Sequence, residues 1–130
     1  ALAALALAWP LGDGDGGEAY ARARLGGLAP APDARAQAWL AEVPAGTRVR
    51  LEASGLPGGR SAVYALWCVR EDGRWVSGGT FRAGADGRVE AELTAAVRPG
   101  DYHQMVVTRR PRHGDPVERG PSVLRGRLLY

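Results

Sequence analysis

Few side chains in this 130-residue chain could do chemistry: Cys68, the histidines His103 and His113, and loop acids such as Asp101 and Asp115. A nucleophile needs a base within hydrogen-bond reach, and a hydrolytic site also needs a position for the reacting atom. None of the spacings that secure such geometry is present. There is no Gly-x-Ser-x-Gly elbow, no phosphate-cradling glycine loop and no paired-histidine metal spacing. A single cysteine excludes an internal disulfide and a cysteine-cluster metal site. Cys68 lies in the most apolar stretch of the chain, where it reads as a small buried hydrophobe. His103, between Tyr102 and Gln104, reads as an ordinary strand histidine with partial exposure. The chain is therefore expected to be no enzyme and to hold neither metal nor cofactor.

Binding is the chemistry that remains. Trp39 falls on the polar face of its strand, where it either covers a sheet edge or anchors a partner. Arg109, Arg110, Arg112 and His113 make a basic loop that could meet anionic lipid headgroups or an acidic partner, solvated loop charge being the plainer reading. Trp67 and Tyr64 could line a groove, but aromatics on a central strand more often belong to the core. All 17 basic residues are arginine, and the net charge is +3. With so much alanine and glycine, this composition points to a GC-rich genome rather than to a nucleic-acid partner, and no nucleic-acid-binding motif is present.

These residues must be positioned by strands. The stretch from Ser61 to Val69 is apolar on both faces, with Ala62, Tyr64, Leu66 and Cys68 on one and Val63, Ala65, Trp67 and Val69 on the other. Such a strand is covered on both sides and lies centrally in a fold. Glu71-Asp72-Gly73 predicts a hairpin with a short primed turn, and Gly78-Gly79 in the return strand, Arg74 to Phe81, predicts a bulge. Before them, Ala19 to Leu25, Arg35 to Val43 and Thr47 to Ser54 alternate apolar and polar residues. Alanine favours helix, so a short helix competes for the first two. After them come Val89 to Leu93, Tyr102 to Thr108 and Val123 to Tyr130. Turns are expected at 26–34, 56–59, 85–87 and 98–101, and a long exposed loop at 109–121. Together these make about eight short strands, an all-β antiparallel, immunoglobulin-like β-sandwich. One domain is expected over residues 18–130. An edge strand of such a sandwich can pair with a second copy, so a homodimer is open.

Residues 1–17 read differently. Ala1 to Leu11 is an apolar run too short to span a bilayer, and it lacks the basic leader and cleavage site of a signal peptide. It is either the end of a transmembrane helix, with Trp9 at the interface, or an element packed on the domain. The flexible stretch Gly12, Asp13, Gly14, Asp15, Gly16 and Gly17 favours the first, as a juxtamembrane linker.

Residues 47–126 resemble the extracytoplasmic C-terminal domain of the anti-sigma-K factor family. The resemblance is carried by Leu56-Pro57 with its glycines, Val63-Tyr64-x-Leu66-Trp67, Asp72-Gly73 and Ser77-Gly78-Gly79-Thr80-Phe81. It continues through Asp86-Gly87, Val106-Val107-Thr108 and Val123-Leu124-x-Gly126. Where the family usually has Val-Glu-Pro, this chain has Arg109-Arg110-Pro111. The resemblance implies a single-pass membrane regulator with this domain on the extracytoplasmic side. A cytoplasmic domain, absent from these 130 residues, would bind the sigma factor. Successive cleavage by a site-one and an intramembrane protease would release it, which makes residues 12–17 the candidate protease-accessible linker. The competing reading is a free-standing cell-surface β-sandwich that binds carbohydrate or peptide, with Trp39, Trp75 and Tyr20 as members of an aromatic platform. A purely structural spacer is the third.

Overall fold

A computed structural model describes residues 21–58, 62–98, 100–110 and 120–129. It contains eight strands: β1 (Ala21–Gly27), β2 (Arg35–Val43), β3 (Gly46–Ser54), β4 (Val63–Arg70), β5 (Trp75–Arg82), β6 (Val89–Ala95), β7 (Tyr102–Arg109) and β8 (Ser122–Leu129). None of the described residues is helical, and among them no helix is long and apolar enough to cross a membrane. The alanine-rich stretches are strands despite alanine's helix propensity. Burial alternates along them, with Ala21, Ala23, Leu25, Ala36, Ala38 and Leu40 inside and Arg22, Arg24, Gln37 and the half-buried Trp39 between them on the other face. A period of two buries that set only in a strand.

The all-β class and the strand count agree with the sequence reading. The expected sandwich takes the form of one continuous antiparallel sheet, in the order β5-β4-β7-β8-β1-β2-β3-β6. Its two halves, β5-β4-β7-β8 and β1-β2-β3-β6, are joined where β1 pairs with β8. Residues 22 and 23 of β1 pair with 129 and 128, and residues 26 and 27 pair with 125 and 124. Between those pairs the β1 backbone presses against Gly126. A Cβ placed there would sit 2.0 Å from the Arg24 carbonyl oxygen. Only glycine permits that approach, and there the sheet passes from one half to the other. Its two ends meet as well, since a Cβ on Gly79 of β5 would lie 3.0 Å from Leu93 Cδ2 of β6. The sheet is thus nearly a barrel.

The core fills the space between the halves. One half contributes Ala21, Ala23, Ala36 and Ala38 together with Leu40, Val49 and Leu51, and the other contributes Tyr64, Leu66, Phe81, Tyr102 and Met105. The alanines leave room for the aromatic side chains of the facing wall. Tyr64 stacks on Phe81 at a centroid distance of 5.9 Å. Thr47, also fully buried, donates its hydroxyl to the Val97 carbonyl at 2.7 Å and ties β3 to the segment after β6.

Two local expectations met different outcomes. The bulge at Gly78-Gly79 is present: Leu66 pairs with Gly79 while the next residue, Trp67, pairs with Ser77. The turn at 71–73 is not a two-residue primed turn, which needs positive φ at both central residues. Only Gly73 has positive φ (87°), so the hairpin closes over three residues, with Arg70 N donating to Arg74 O at 2.8 Å. Asp72 stabilises it by accepting from the Arg74 amide at 3.0 Å.

Candidate functional site

Cys68 faces inward on β4, fully buried, and burial pushes its thiol up to about 12, partly opposed by a hydrogen bond from the Tyr102 hydroxyl. A buried thiol held neutral in this way is a poor nucleophile. His103 is half-buried on β7, beside the register shift opposite Val69 and Arg70. Its Nδ1 is buried without a hydrogen-bond partner. Among the described residues no group of three or more His, Cys, Asp or Glu could hold a metal ion.

The candidate partner residues separate onto different parts of the fold. Trp39 is half-buried on the outer face of β2, with Arg22 of β1 directly opposite on one side and Arg50 of β3 on the other. Arg109 and Arg110 lie at the far end of β7. The Arg109 amide donates to Pro121 O at 2.9 Å, and the Arg110 amide donates to Val63 O at 2.8 Å. The Arg109 guanidinium packs against the 56–58 turn, its Nη2 lying 2.7 Å from where a Gly58 Cβ would stand. The same corner holds the Tyr64 hydroxyl, which donates to the Pro57 carbonyl. Burial raises the Tyr64 pKa, and the Arg109 charge lowers it. Arg109 therefore belongs to a packed corner rather than to a free basic loop. Arg112, His113 and residues 12–17 lie outside the described residues.

Two surface features were not legible from the sequence. The outer face of β4 carries Trp67, which donates from Nε1 to Thr108 Oγ1 at 2.9 Å and lies 6.1 Å from Trp75 across the hairpin. Tyr64 is core as expected, but Trp67 points the other way. Trp75 and Trp39 sit on β5 and β2, which are not neighbours in the sheet, so they share no platform. Tyr20 lies outside the described residues. The second feature is an open groove of about 1130 Å³ across β1, β2, β3 and β6, lined by Arg24, Arg35, Gln37, Glu52, Glu90 and Arg88 among others. Its charges are mixed.

A family model described as "Anti-sigma-K factor rskA, C-terminal" matches residues 1–122, beginning well before residue 47 and running through β8's first residue. No curated protein and no solved structure matches the chain.

Proposed function

Because the chain belongs to the family of anti-sigma-K factor C-terminal domains, we propose that it is the extracytoplasmic regulatory domain of a membrane-anchored anti-sigma factor. In this reading it controls an extracytoplasmic-function sigma factor, which binds a cytoplasmic domain of the same protein. The observation that carries the proposal is the extent of the family match, residues 1–122, which takes in the apolar start and the glycine-acid stretch along with the sheet. The burial of Cys68, which holds its thiol neutral, supports a regulatory rather than catalytic role.

Residues 12–17 are then the segment on which a site-one protease acts, with an intramembrane protease following. Glycine offers a protease an extended, unobstructed backbone, and the acids keep it solvated. The test is a pull-down from native membranes with the full reading frame tagged after Tyr130. A sigma factor recovered with the intact protein, and lost after cleavage within 12–17, is the expected result. Intact protein that brings down no sigma factor overturns the proposal in favour of a surface binding module.

A further inference from the structure

We propose that the outer face of β8, β1 and β2 is a docking surface for an anionic lipid bilayer, whose phosphodiester headgroups are met by a stripe of arginines. Inward residues of β1 are Ala21, Ala23 and Leu25, so Arg22 and Arg24 point outward. On β8, Leu124 and Leu128 pack into the core, so Arg125 and Arg127 point outward. Arg35 extends the stripe onto β2, paired with Gly26. All five are exposed, and none makes an ion pair with a described residue. Strands β1 and β8 contain no acidic residue, and β2 contains only Glu42, three residues beyond Trp39.

Five exposed arginines on adjacent strands, without an ion pair among the described residues, suit an anionic partner, with Glu52 and Glu90 sharing only the groove that Arg24 and Arg35 line, and the rest of the face identifies its kind. Leu129, 63% exposed, lies directly opposite Arg22, and Trp39 lies opposite Arg22 on the other side. A leucine and a tryptophan set among arginines suit a surface that is charged above and apolar beneath, which a lipid interface is and a soluble polyanion is not. The Leu129, Arg22 and Trp39 row lies at the end where the chain enters β1, the end that an anchor before Ala21 would hold against a membrane.

The assay is partition of the whole chain onto vesicles of phosphatidylcholine, with and without phosphatidylglycerol. Residues 1–11 could enter lipid by themselves, so the informative quantity is the gain caused by the anionic lipid. Each arginine near such a surface contributes roughly fivefold. The triple variant R22Q/R24Q/R127Q should therefore lose the phosphatidylglycerol-dependent gain by about a hundredfold. The charge-matched R70Q/R74Q/R82Q, on the β4–β5 hairpin at the other end of the strand order, should keep it, and added salt should abolish it in the parent. Equal partition onto both vesicle types overturns the proposal, as does equal loss in the two triple variants. Binding to soluble dextran sulfate without binding to vesicles overturns it in favour of a soluble polyanion. The proposed function supplies the nearby membrane, but the vesicles read the face directly. A failed pull-down and a failed partition are thus separate results.

Discussion

Replacing Gly126 with alanine should destabilise the protein by roughly 3 kcal/mol, at the upper end of what one added methyl does to a packed site. The added Cβ would lie 2.0 Å from Arg24 O, 2.7 Å from Arg24 C and 3.0 Å from Leu25 Cα, all backbone atoms that no rotamer change can move. β1 would have to retreat from β8 by about 1 Å, and such a gap already forfeits a quarter to a half of each dispersion contact along it. The retreat would also stretch the flanking ladder bonds at 22–23 and 26–27. Gly26, on the other side of the same seam, has nothing within 4 Å of its missing Cβ. Gly26→Ala should accordingly be neutral or stabilise by up to about 1 kcal/mol, through loss of freedom in the unfolded chain. Urea unfolding followed by tryptophan fluorescence reads both, provided the slope with denaturant is unchanged. A Gly126→Ala midpoint equal to the parent's would refute the close packing of β1 on β8. A large loss in Gly26→Ala would refute the distinction between the two sites.

Two further perturbations probe the interior. Thr47→Val keeps the shape but leaves the buried Val97 carbonyl without its donor, at a cost of about 1–3 kcal/mol measured by the same unfolding curves. Cys68 should resist thiol reagents in the native state at pH 8 and react at once in denaturant. Its thiol is raised from an ordinary value of 9.0 to about 12, so above pH 9 the unfolded chain loses this proton while the folded one keeps it. The contribution of this group is present in full below pH 9 and falls as pH rises toward 12, so the opposite slope in alkaline unfolding would contradict its burial.

Much of this fold was written in local pattern. The alternation of Ala36, Ala38 and Leu40 with Arg35, Gln37 and Trp39 pointed to a strand and its inner face, and the observed burial decided against the short helix that alanine left open. The apolar faces of β4 were equally plain, though the side that became core could be known only once β7 and β5 were placed against it. Trp67 shows the limit: its neighbours Trp75 and Thr108 come from two other strands. The arginine stripe was hidden for the same reason. Arg22 and Arg24 are separated from Arg125 and Arg127 by about a hundred residues, and only the pairing of first and last strands unites them. Gly126 looked like any strand glycine, since nothing nearby in sequence announces the carbonyl that needs its space. Arg109 was read as loop charge because its packing partner, Gly58, lies in a distant turn.

The pairing of β1 with both β2 and β8 also fixes how the domain bears load. Antiparallel ladder bonds lie perpendicular to the strand they hold. A chain held upstream of Ala21 and pulled from the opposite end of the sheet would be loaded along the axis of β1. Two ladders of hydrogen bonds, one on each side, would then resist sliding together rather than opening in sequence. The strand nearest any tether is thus clamped in shear, and tension would fall first on the chain before Ala21, leaving the sheet intact.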